Sequence, residues 1–151
     1  MWYNKIMFKK KILICLFIGI TCICFGQSAD FVTKMINAES VTYEDVAYLC
    51  ATNLGLILDD ATPEEAMLAL DKAGIYDMPN NPKAEISYES LANMCMKTWK
   101  IKGGFLYSIT KSDRYAFKEL QTLGFIYTNV DPKETVSGIE VLNLITRCLD
   151  L

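Results

Sequence analysis

Residues 41–56, 86–101 and 136–151 of this chain align on one another without a gap. A repeat constrains a fold more tightly than local propensity does, because a unit written three times must bury each copy against its neighbours. Each stretch opens with a β-branched and a hydroxyl residue: Val41-Thr42, Ile86-Ser87 and Val136-Ser137. Apolar residues then recur in step: Val46, Leu49, Cys50 and Leu54; Leu91, Met94, Cys95 and Trp99; Val141, Leu144, Ile145 and Leu149. Offsets of zero, three, four and eight describe one face of an α-helix.

The hydroxyl residue is expected at the N-cap, where its oxygen accepts an orphaned N–H of the first turn. Thr42 with Asp45 and Ser137 with Glu140 form capping-box pairs, while Ser87 faces Ser90. A shorter helix precedes two of the three long ones. Thr62-Pro63-Glu64-Glu65 reads as a cap, a first-position proline and first-turn acids, followed by Ala66, Leu70 and Ala73 and a stop at Gly74. Its counterpart runs from Ser112 through Ala116, Leu120 and Leu123 to Gly124. Pro82 and Pro132 then stand four residues before Ile86 and Val136. The units are therefore 62–101 and 112–151, with 30–56 a clipped first copy whose short helix is squeezed into 31–36. Residues 105–109 read as a short strand or a loop over the core. The expected fold class is all-α: tandem short-helix, loop, long-helix repeats packed as one domain over residues 27–151.

The first 26 residues break the pattern. Lys5, Lys9, Lys10 and Lys11 precede an uncharged run over residues 12–25, and Gly26, Gln27, Ser28 and Ala29 follow. That order is a secretory signal peptide, 1–26, and the run of 14 residues is shorter than the roughly 18 of a spanning helix. Cleavage is expected after Gly26, with Ser28 as the alternative. Lipid attachment at Cys22 or Cys24 is disfavoured by Thr21 and Ile23 before them. An exported chain follows, in the periplasm, envelope or medium, without a stable membrane span after cleavage.

Residues 27–151 carry 11 cations against 18 acids, a net charge of −7. Such a surface repels phosphate backbones, and no cationic cluster stands out, so nucleic acid is excluded as a partner. Histidine is absent, which removes the usual proton shuttle and a common metal ligand. No catalytic residue, metal site or cofactor is expected. The adjacent acids Glu44-Asp45, Asp59-Asp60 and Glu64-Glu65 would point about 100° apart on a helix and read as first-turn acids. A small carboxylate-based periplasmic enzyme is the rival from another class. Cys50, Cys95 and Cys148 are odd in number, so at least one thiol stays free. They read as small apolar core residues, with a Cys50–Cys95 bridge as the alternative.

A short helix ending in glycine, a loop with proline before Ile/Val-Thr/Ser, and a longer capped helix together resemble the S-layer homology repeat. The likeness covers most of residues 39–151. It is best where Leu123-Gly124-Phe125, Asp131-Pro132 and Val136-Ser137-Gly138-Ile139-Glu140 fall at the family's spacing. The resemblance implies three units about a pseudo-threefold axis and non-covalent attachment of a bacterial envelope protein to cell-wall polysaccharide. The family's Thr-Arg-Ala-Glu arginine is replaced by Tyr43, Tyr88 and Gly138, and the aromatic before its loop proline by Asn80 and Val130. Fold inheritance is therefore firmer than ligand inheritance.

Tyr43 and Tyr88 stand at first helical positions, near the grooves where the family binds sugar, and with Trp99 are the candidate ligand-binding residues. Packing is the competing role, since Trp99 shares its repeat position with Leu54 and Leu149. The expected function is a non-catalytic exported module that binds a cell-wall glycan or an envelope protein. The alternative is an assembly subunit that kept the fold and lost wall affinity. The clipped first unit leaves an apolar flank that a second copy could cover, which makes a homo-oligomer an expectation.

Overall fold

The computed structural model describes residues 26–58 and 60–151, with side chains from Ala29 onward. The expected leader lies outside the described residues except for Gly26. Seven helices are described: α1 (Gly26–Ile36), α2 (Tyr43–Asn53), α3 (Pro63–Lys72), α4 (Tyr88–Thr98), α5 (Phe105–Thr110), α6 (Asp113–Thr122) and α7 (Gly138–Leu149). No helix among the described residues is long and apolar enough to cross a membrane. The fold is all-α.

The long helices α2, α4 and α7 start where the caps predict. Thr42 and Asp45 exchange hydrogen bonds, Asp45 N to Thr42 Oγ1 at 3.3 Å and Thr42 N to Asp45 Oδ2 at 3.2 Å. Thr62 and Glu65 do the same at the start of α3, and Glu140 accepts from Ser137 N at 3.0 Å. Most of the periodic residues turn inward: Val46, Leu91 and Val141 are fully buried, as are Cys50 and Cys95, with Ile145 nearly so, while Leu149 at the last position is exposed. Fully burying such a side chain contributes about 1.5–3 kcal/mol, so one apolar stripe per helix is enough to orient it.

The three β-branched openers meet at the centre, where Val41, Ile86 and Val136 are buried. Their backbones form a closed ring. Ile86 N donates to Val41 O (2.9 Å), Val136 N to Ile86 O (3.3 Å), and Val41 N to Val136 O (3.1 Å). The first turn of each long helix then docks on the loop of the next unit. Tyr43 N and Glu44 N donate to Ala84 O and Pro82 O; Tyr88 N and Glu89 N donate to Glu134 O and Pro132 O; Gly138 N donates to Ala38 O. The proline loops thus satisfy N–H groups that a helix start leaves without an intrahelical partner. Helix pairing follows the same circuit: α2 packs on α3, α4 on α6, and α7 on α1. The first and last of the described helices, α1 and α7, thus pack on one another.

Two expectations need correction. Residues 105–109 are neither strand nor loop but lie within α5. A lone strand there would leave its peptide groups unpaired, whereas one helical turn satisfies them internally, as in Ser108 N to Gly104 O at 3.0 Å. The first unit's short helix is not squeezed into 31–36; α1 begins at Gly26 and runs 11 residues. Met35 is buried, Phe31 lies 4.3 Å from the Tyr48 ring, and Lys34 bonds Asp45 at 3.0 Å. The flank expected to be bare is therefore covered by α1 itself.

Cys50, Cys95 and Cys148 are all free and buried, so no Cys50–Cys95 bridge forms. Burial pushes the Cys50 thiol up to about 12. Cys95 rises through its hydrogen bond with Cys148 and through burial, so Cys50 and Cys95 stay in the thiol form inside the core.

Candidate functional site

Tyr43 and Tyr88 occupy equivalent positions and make equivalent bonds. The Tyr43 hydroxyl donates to Ser90 Oγ of the next unit at 3.0 Å, and the Tyr88 hydroxyl hydrogen-bonds Glu140, the matching residue one unit on. Gly138 takes the tyrosine position in the third unit. A Cβ there would sit 1.7 Å from Met35 O, so α1 occupies the space that a side chain would need. Lys34 from α1 then gives Asp45, at the position of Ser90 and Glu140, its partner from outside its own helix start. Tyr43 is half-buried and Tyr88 buried at 8% exposure, both acting as links between units.

Behind Tyr43 lies a polar network that sequence inspection did not find. Ser90 Oγ donates to Asp113 Oδ2 (2.9 Å), Asn93 Nδ2 to Asp113 Oδ1 (2.6 Å), and the Tyr107 hydroxyl to Asn93 Oδ1 (3.3 Å). Burial, then the Asp113 carboxylate, raises the Tyr107 hydroxyl and keeps it a donor. The network ties all three units together through Asp113 at the start of α6. Its Ser and Asn members carry no motif, and only the fold brings them to one carboxylate.

Trp99 is placed elsewhere. It caps the far end of α4, half-buried, with Nε1 donating to Asn53 Oδ1 at 3.2 Å. It stands eleven positions after Tyr88, about 16 Å along the helix at 1.5 Å per residue. The three candidate residues therefore do not form one site.

Tyr88 does line a groove of about 150 Å³ between the second and third units, with Phe125, Tyr127, Glu140, Asn143 and Arg147. Arg147 Nη1 is anchored on Phe125 O at 2.9 Å, and Glu140 is held by Ser137 and Tyr88. Tyr127 is 70% exposed at its rim. An aromatic rim beside a guanidinium and an amide offers one apolar face and several donors, the composition of a small polar-ligand site.

A larger cleft, about 720 Å³, lies at the other end of α4 and is lined by Lys97, Lys100, Lys102 and Lys111 with Asp77. The expectation that no cationic cluster offsets the acidic surface is corrected here. Three of these lysines are close in sequence, but Lys111 joins them only because α5 folds back over Gly103-Gly104. Neither a protein-family model nor a curated protein sequence matches the chain.

Proposed function

We propose that this chain is a non-catalytic module of the bacterial cell envelope that holds a neutral wall glycan in the groove beside Tyr88. The carrying observation is the groove itself, where Phe125 and Tyr127 provide aromatic surface and Asn143 and Arg147 provide hydrogen-bond donors. A sugar ring presents the complementary pair, one C–H face and a rim of hydroxyls. Export rests on the basic-then-apolar order of residues 1–26. The closed hydrogen-bond circuit through Val41, Ile86 and Val136 supports the threefold, S-layer-homology-like reading of the repeats.

The test is co-sedimentation of the purified chain with cell-wall sacculi. Retention that is lost on Tyr127→Ala, an exposed position whose truncation is expected to leave the unfolding transition unchanged, would support the reading. No retention of the unaltered chain would overturn it.

A second reading, an assembly subunit that keeps the fold without wall affinity, is favoured by α5, whose Phe105 and Ile109 are 78% and 65% exposed. Exposed apolar residues grouped on one short helix are a feature of contact surfaces. Light scattering of the free chain separates the two, since a strict monomer that binds sacculi removes the need for this reading.

A further inference from the structure

Five residues among the described ones have left-handed backbone, and they are not scattered. Gly55, Gly74 and Gly124 end α2, α3 and α6 with φ of 67°, 63° and 76°. Lys100 and Lys111 follow α4 and α5 with φ of 53° and 51°. The ends of α2 and α4 are built alike. Leu56 N bonds Ala51 O at 2.9 Å, and Ile101 N bonds Met96 O at 2.9 Å, the six-to-one bond that closes a helix over a left-handed residue.

The repeat provides its own control. Lys100 is the counterpart of Gly55, so one unit uses glycine, which adopts this conformation without a Cβ clash, while the next unit holds a lysine in it. Both strained lysines line the 720 Å³ cleft. Lys97 and Lys102 complete the set, and their counterparts in the first unit are the uncharged Thr52 and Ile57. Four of the 11 cations in residues 27–151 thus border one opening of a net acidic chain.

The local geometry arranges these charges. Lys97 lies over the Tyr76 ring (5.1 Å) and Lys111 over the Tyr107 ring (4.8 Å), contacts that hold two ammonium groups at the wall. The single acid lining the cleft, Asp77, is fully exposed and reaches Lys97 only at 4.0 Å. Lysine ammonium groups are compact point charges suited to phosphate oxygens. At both helix stops lysine bears a backbone cost that glycine would avoid, and both lysines line the same opening.

We infer that the cleft between the ends of α3 and α4 and the inner face of α5 binds a ligand carrying two or more phosphate groups. This site is separate from the Tyr88 groove and does not depend on the glycan reading.

The test uses titration calorimetry with sodium tripolyphosphate on protein purified after expression of the full sequence, beside the double variant Lys100→Gly, Lys111→Gly. Glycine relieves the backbone at both positions, so the variant is expected to melt no lower than the parent. Its affinity is expected to fall at least about tenfold, and binding by the parent to weaken steeply as salt rises. Flotation with cardiolipin vesicles, whose headgroup carries two phosphates, forms the second arm. Vesicle binding that is lost in the variant, without affinity for tripolyphosphate, would uphold the phosphate site and assign its source to a lipid headgroup. Equal binding by parent and variant, or no binding to either probe up to about 10 mM phosphate, weaker than any specific site, would overturn the inference.

Discussion

At the scale of single residues, the acids at the helix starts govern how this chain responds to pH. Burial raises the Asp45 carboxyl, but the Thr42 hydroxyl and N–H and the Lys34 ammonium outweigh it and hold Asp45 below its ordinary 3.8. Burial likewise opposes Ser137 and Tyr88 at Glu140, which ends below 4.5. Glu65 is lowered by the Thr62 N–H and then its hydroxyl. A carboxyl lowered by folding stabilises fully above its unfolded value and loses that contribution as pH falls through the folded one. Melting temperature is therefore expected to stay level on acidification until the ordinary values of 3.8 to 4.5 are reached, and then to drop. A melting temperature that rose below pH 4 would contradict these signs. Asp45→Asn, which weakens both the cap and the Lys34 bond, is expected to destabilise by about 1 kcal/mol in urea titrations. These caps were readable before folding, because a hydroxyl and an acid three residues apart need only one turn of helix to meet.

Gly138 marks the limit of such local reading. As the first residue of α7 it is a poor helix former, and propensity alone recommends alanine. The added Cβ would meet the Met35 carbonyl oxygen at 1.7 Å, so the α1–α7 junction must open. Gly138→Ala is expected to lower stability by about 1–3 kcal/mol, as overpacking does, with the measured sign opposite to the helix scale. Equal or greater stability in a urea titration would show that the junction yields freely.

At the scale of elements, α1 decides whether the circuit closes. It provides the buried Met35 and the Lys34–Asp45 bond, and leads into the loop whose Ala38 O accepts from Gly138 N. The contacts begin near Phe31, beyond both candidate cleavage points. A chain beginning at Gln27 is expected to unfold in a single transition, and one beginning at Asn37 to lose several kcal/mol or its cooperativity, through exposed faces of α2 and α7. Circular dichroism melts of the two truncations check this. Identical curves would mean that α1 is ornamental. The clipped first unit looked shorter from sequence because Gln27 to Asp30 carry no apolar period, although they lie within α1.

Across the whole molecule, the three cysteines of residues 27–151 come from three different units yet share one core, where Cys95 bonds Cys148. Three thiols are therefore expected to stay silent to a water-soluble disulfide reagent in the native state and to react together on unfolding. Reductant is expected to leave the melting temperature unchanged. Prompt reaction of any thiol, or a reductant-sensitive melt, would contradict the buried thiol cluster. The odd count excluded complete pairing, but which cysteines approach one another depended on the closed circuit.

The positions of α2, α3, α4, α6 and α7 and the caps of the long helices were legible in sequence alone, since each rests on residues within one or two turns and on water's preference for burying apolar faces. The tertiary structure decided everything that requires distant segments to meet. It turned Tyr43 and Tyr88 into links between units, set Trp99 apart from them, and gathered Asp113, Asn93 and Tyr107 into one network. It also brought Lys111 to the cleft of Lys97, Lys100 and Lys102. The reason is physical. Local hydrogen bonds and periodicity specify which face of a helix is apolar, whereas the partner of that face, and any side chains stranded between the two, are chosen only when the units close on one another.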